Sequence, residues 1–143
     1  MKLEKITILF IFVFTIFLNA NSTSQIKHFK YYSNYKEALL KAKVEDKPLI
    51  LLIEEEYCPW CKKLKEKTFA NPIINNKIKK EFIVVKLTDG KDDISNKFYA
   101  DVFPTVYFIN PHTNEYYFKK RGYRSAIKYK KTLNYALKVH KDR

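Results

Sequence analysis

Two cysteines are all that this 143-residue chain contains, and both fall in one motif, Tyr57-Cys58-Pro59-Trp60-Cys61-Lys62-Lys63. There is no second CxxC, and His28, His112 and His140 lie in unrelated segments rather than in a paired motif. A closed zinc site needs about four ligands, so no metal centre is expected. A Cys–His hydrolase is disfavoured too, because nothing ties a histidine to Cys58. A structural staple is a weak reading: a bridge across two intervening residues closes a very small loop and restrains little of the unfolded chain. Internal repeats and low-complexity linkers are also absent. No apolar run reaches the roughly 20 residues that a membrane-spanning helix needs.

The longest such run, Ile6 to Leu18, follows Lys2 and Lys5 and precedes Ala20-Asn21-Ser22, a small-x-small pattern. This is the layout of a secretory signal, with an uncleaved N-terminal anchor as the alternative. The expectation is a signal peptide over 1–22 and a single domain over 23–143, exported and, in a bacterium, periplasmic. Lys2, Lys5 and Glu4 account for one unit of the formal +13, so the remainder carries +12. Such a balance is the footprint of nucleic-acid or anionic-surface binders. Here, however, the lysines are spread over every segment rather than gathered into one stripe, and nucleic acid is not expected as a partner.

Asn34-Tyr35-Lys36-Glu37 has the spacing of a capping box, and Tyr35, Ala38, Leu39 and Ala42 share one helical face, which predicts a helix over 34–46. Pro48 ends it. Leu49 to Ile53 does not alternate and reads as a strand buried on both faces. A helix opens at Cys58 or Pro59, carries Leu64 and Phe69 inward and breaks at Asn71-Pro72. A second helical piece follows through Ile73, Ile74 and Ile78. Strands are expected at Phe82–Leu87, Thr105–Ile109 and Tyr116–Phe118, with a short helix over 94–100 and a closing helix over 125–141 bearing Ile127, Leu133 and Leu137. Alternating helices and strands with an antiparallel end make an α/β sandwich.

The chemistry sits where the buried strand feeds the CxxC. A helix N-terminus carries partial positive charge that favours a thiolate at its first residue. Two thiols at this spacing come close enough to open and close a disulfide. Glu54, Glu55 and Glu56 oppose that thiolate, and they read as solvated loop charges.

The strand, the CxxC at a helix start and then Val102-Phe103-Pro104-Thr105 leading into another strand together resemble the thioredoxin fold over about 30–141. Within it, Lys47-Pro48, Tyr57 to Lys63, Thr68-Phe69, Pro72, Phe82 to Leu87 and Arg121-Gly122-Tyr123 are similar to an exported thioredoxin-like group that includes the SoxW-type proteins. The resemblance implies a three-layer sandwich around a mixed sheet of four to five strands with flanking helices. His28 to Tyr32 is the only candidate for the family's first strand. It further implies that Cys58 is the attacking thiolate and Cys61 the resolving thiol, with no cofactor beyond that pair. Pro104 would be a cis proline facing the pair, and a substrate groove would be formed by Pro104, Phe103, Thr105, Trp60, Pro59 and Tyr57. The chain departs from the family in one respect: typical members bury a carboxylate at the position that is Leu52 here.

The expected activity is disulfide reduction in exported proteins by a monomer recharged by a membrane-side electron donor. It is expected to be a reductase because the histidine found between the cysteines of strong periplasmic oxidases is missing. The rival reading is a binding module that uses the CxxC as a copper or zinc site, or the groove for a partner peptide.

Overall fold

The computed structural model describes residues 28–93 and 96–142; the expected signal segment lies outside them. Helix α1 (Tyr35–Glu45) starts where its sequence says it should. The Asn34 side chain accepts a hydrogen bond from the Glu37 amide at 3.0 Å, satisfying one of the amides that a helix start leaves without a partner. Asp46 closes the helix in the left-handed region, φ 49°.

Strand β2 (Leu49–Glu54) is buried at every residue because it lies at the centre of a five-stranded sheet ordered β1-β3-β2-β4-β5. Its neighbours are β3 (Ile83–Thr88), parallel to it, and β4 (Thr105–Asn110), antiparallel. Edge strand β1 (Tyr31–Tyr32) runs parallel to β3, and β5 (Glu115–Arg121) runs antiparallel to β4. The short β1 falls within the segment expected to supply a first strand.

Residues of β2 alternate between two cores. Leu49, Leu51 and Ile53 meet Ala38 and Ala42 of α1, whereas Ile50 and Leu52 meet Leu64, Phe69, Ile74, Ile78, Tyr129 and Leu133 on the opposite face. That second layer comprises three helices. Helix α2 runs Pro59–Lys63 and continues as π-helical Leu64–Phe69, while α3 is Pro72–Glu81 and α4 is Ala126–Lys141. With each fully buried aliphatic side chain contributing about 1.5–3 kcal/mol, packing on both faces of the central strand fixes its register. No described helix is long and apolar enough to cross a membrane.

Two expectations fail. Residues 96–97 form a turn and 98–100 are irregular, so the helix placed over 94–100 is not seen among its described residues. Instead the irregular path lets Phe98 pack edge-on to Tyr107 at 5.2 Å. Ile127 is 79 % exposed. The inward face of α4 is Tyr129, Thr132, Leu133 and Ala136, and a residue two before Tyr129 points roughly 200° away from it at 3.6 residues per turn.

Tyr129 raises a stability question of its own. It is 1 % exposed, packs edge-on to Phe69 at 5.1 Å, and its hydroxyl has no hydrogen-bond partner among the described residues. Burial accordingly pushes its pKa upward. A buried hydroxyl without a partner costs about 1–3 kcal/mol, so Tyr129→Phe should stabilise the fold by about 1 kcal/mol in urea denaturation. A loss of stability of that size would mean the hydroxyl has a partner after all.

Candidate active site

From the C-terminal end of β2 the chain turns through three glutamates into Tyr57, whose φ of 59° lies in the left-handed region. That turn places Cys58 as the N-cap of α2, with φ −80° and ψ 103°, and Pro59 in the first turn, where its missing amide costs nothing. The Cys58 Sγ accepts a hydrogen bond from the Cys61 amide at 3.1 Å. The two sulfurs are bonded at 2.10 Å, with Cα atoms 5.3 Å apart. Cys61 is 2 % exposed, while Cys58 is half-buried and opens to the surface. The pair is therefore asymmetric: one sulfur is reachable from outside and the other is covered.

Around the reachable sulfur stand exposed Tyr57, Pro59 and Trp60. Tyr57 is 92 % exposed, yet it holds a backbone conformation that a side chain bearing Cβ adopts at a cost of roughly 1–2 kcal/mol. Tyr57→Gly removes that cost at the price of a looser unfolded chain. It should therefore change stability by less than about 1 kcal/mol, in the stabilising direction, while weakening disulfide exchange with protein substrates. Unchanged exchange would remove Tyr57 from the site.

The π-helical part of α2 sets the rim. The Ala70 amide donates to the Lys65 carbonyl at 2.9 Å, five residues back, and such widened turns are frequent at functional sites. The widened turn leaves both Thr68 and Phe69 buried, and the Thr68 hydroxyl donates to the Arg124 carbonyl at 2.6 Å. That bond ties the segment between β5 and α4 to the helix of the cysteines. Tyr123 then lies against Trp60, ring centroids 5.9 Å apart, and the Lys63 ammonium sits 4.7 Å from the Trp60 ring centre and 4.9 Å from that of Tyr123.

The Phe103–Pro104 peptide bond is cis. Thr105 pairs with Ile53, so Pro104 lies at the same end of the sheet as the loop that leads to Cys58. The Pro104 carbonyl accepts from the Gly122 amide at 2.7 Å, with Gly122 at φ 71°. Arg121 pairs with Asp101 across the same two segments. Pro104 and Thr105 are buried, and the Thr105 hydroxyl donates to the Val102 carbonyl at 2.6 Å. The Thr105 hydroxyl thus braces the loop from beneath. Phe103 is half-buried against the α1 core. Of the groove expected from sequence, Tyr57, Pro59 and Trp60 gather at the sulfur. Tyr123 and Lys63 join them; both lie in segments that carry the family resemblance, though neither is expected in the groove from sequence.

Glu54 is not a solvated loop charge. It ends β2, is 7 % exposed, and bonds Lys65 at 2.7 Å and Lys86 at 3.1 Å. It lines a cleft of about 270 Å³ with Cys58 and Cys61. Glu56 pairs with Lys91 at 2.7 Å. The carboxylates that would oppose a thiolate at Cys58 are thus largely offset, which leaves the helix end, worth about 0.3–2 kcal/mol, to favour the anion once the bond is reduced. The histidines are engaged elsewhere: His28 with Asn75, His112 with Asp46, and His140 stacked near Tyr117. Among the described residues no three metal-ligating side chains gather.

Comparison with known proteins agrees with this architecture. A family described as Thioredoxin-like domain matches residues 35–137. Anterior gradient protein 2 of Xenopus tropicalis is 33 % identical over 82 residues, 57 % of this chain and 49 % of that protein. The chain thus spans about half the length of the curated relatives it matches. A thioredoxin from Thermus thermophilus superposes with TM-score 0.69 at 19 % identity, covering 78 % of this chain and 88 % of its own. A putative disulphide-isomerase from Bacteroides thetaiotaomicron gives 0.68 at 24 %, covering 80 % and 97 %. The chain belongs to the thioredoxin-like family, and its fold holds Cys58 and Cys61 at disulfide distance.

Proposed function

We propose that this chain is an exported thiol–disulfide oxidoreductase that reduces disulfides in other exported proteins. The observation that carries the reading is the unequal exposure of a closed CxxC pair at a helix start. In the reduced state the Cys58 thiolate attacks one sulfur of a substrate disulfide. A mixed disulfide forms and the other substrate sulfur leaves as a thiolate. Cys61 then loses its proton, for which Glu54 on the same cleft supplies a carboxylate, and attacks the Cys58 sulfur. The second substrate thiol departs, the Cys58–Cys61 bond closes, and two electrons have moved from the protein to the substrate. The exchange uses only these two sulfurs and an outside dithiol donor, which we place on the membrane side. Pro104 backs the groove, and Tyr57, Pro59 and Trp60 flank the entering chain.

Export rests on the N-terminal signal pattern, and the assignment to the group with the SoxW-type proteins on the motifs quoted above. The reducing direction rests on the missing histidine between the cysteines. A metal-holding role is less well supported, because the pair supplies two ligands and, among the described residues, no third metal-ligating side chain gathers with them. The protein should accelerate insulin precipitation in dithiothreitol. A rate equal to that of dithiothreitol alone would contradict the proposal.

A further inference from the structure

The cations that look evenly scattered along the sequence converge in the fold. Between β5 and α4 lies a groove of about 450 Å³ lined by Phe118, Lys120, Arg124, Lys128, Lys131 and Tyr135, together with Thr132. Its floor is aromatic: Phe118 and Tyr135 meet edge-on at 5.0 Å, and the Lys120 ammonium lies 4.7 Å from the Phe118 ring centre. No acidic residue lines it, and α4 contains no aspartate or glutamate along its entire length. Among the described residues, none of the four cations makes a salt bridge, whereas most lysines near the cysteines do. Four like charges held around one concavity repel one another, an arrangement that a bound anion relieves.

One step along the chain separates the groove from the rim of the disulfide. Arg124 follows Tyr123, whose ring packs on Trp60 between the cysteines, and the Arg124 carbonyl is bonded to Thr68 on the helix of the cysteines. A chain lying over Trp60 and Tyr123 is therefore next to the residue, Arg124, that opens the groove. We infer that this groove docks an acidic polypeptide segment of the redox partner whose cysteines reach Cys58. The identity of the occupant as a redox partner rests on the proposed exchange reaction; the docking of an acidic chain does not. A concave site with an aromatic floor suits a discrete chain of carboxylates with apolar side chains between them better than a flat membrane surface does. Complementary charge of this kind acts chiefly on encounter and partner choice, and weakens with salt.

The test is binding of a fluorescent peptide of alternating glutamate and leucine, against a serine–leucine counterpart, measured by anisotropy at low salt. The wild-type protein should bind the acidic peptide at least ten-fold more tightly than the neutral one. The double variant Lys128→Glu/Lys131→Glu should lose at least ten-fold of that affinity, with its circular dichroism melt unchanged in shape. Lys36→Glu/Lys43→Glu, which makes the same change in net charge on α1, should keep it. Equal losses in both variants would reduce the effect to net charge and overturn the groove. So would loss of binding to phosphatidylglycerol vesicles in the first variant with peptide affinity intact, which would make the occupant a lipid surface. Because no thiol takes part in this measurement, its outcome is separate from that of the insulin assay. If exchange proves correct, peptide disulfides flanked by glutamates should react several-fold faster than those flanked by serines.

Discussion

Replacing Cys58 by serine should reduce catalysed disulfide reduction to the background rate, and replacing Cys61 should do something different. Cys58 is the half-buried sulfur at the start of α2, and Cys61 is 2 % exposed beneath it. An incoming disulfide can reach the first but not the second. Cys61→Ser therefore leaves the attack intact and removes the resolving step, so it should accumulate covalent complexes with protein substrates that run as slower bands on non-reducing gels and vanish with reductant. Cys58→Ser should give neither turnover nor adducts. Comparable adducts from both variants would mean that the two sulfurs are equally accessible, contrary to the geometry.

The largest loss of stability from a single side chain is expected at Phe108. It stands on β4 at 0 % exposure, opposite Ile50 of the central strand, with its ring between Phe82 at 6.1 Å and Phe118 at 5.5 Å. Phe108→Ala removes those contacts and leaves a cavity that rigid sheet neighbours cannot fill. Such truncations cost about 3–5 kcal/mol, against a total stability of about 5–15 kcal/mol for a domain. Urea denaturation should show a midpoint lowered in proportion with little change in slope. Ile127→Ala, at a position 79 % exposed, should change stability by less than about 0.5 kcal/mol. A Phe108 variant as stable as wild type would contradict the packing on that face.

What could be read in advance was what is local. Asn34 and Glu37 mark a helix start through a hydrogen bond spanning three residues, and Leu49 to Ile53 marks a buried strand because no residue in it tolerates water. The CxxC and the strand that feeds it are likewise contiguous in the chain. Glu54 reads as a loop charge because its neighbours Glu55 and Glu56 are exposed; only the pairing of β2 with β3 and the path of α2 bring Lys86 and Lys65 to it. The bond that turns the Thr105 hydroxyl back to Val102 is likewise not legible from its place beside Pro104. The basic groove escaped for the same reason as Glu54. Lys120 and Arg124 belong to one stretch and Lys128 and Lys131 to another, and neither shows the stripe that packing β5 against α4 creates.

The Cys58–Cys61 bond is expected to open and close reversibly as a reducing couple. Equilibrating the protein in graded glutathione buffers and alkylating the free thiols for mass analysis reads this directly. Both cysteines should titrate together as one two-electron step, with a potential nearer the roughly −270 mV of thioredoxin than the roughly −120 mV of strong oxidants. A pair that stays oxidised or reduced across the whole range, or one poised at the oxidising end, would contradict it.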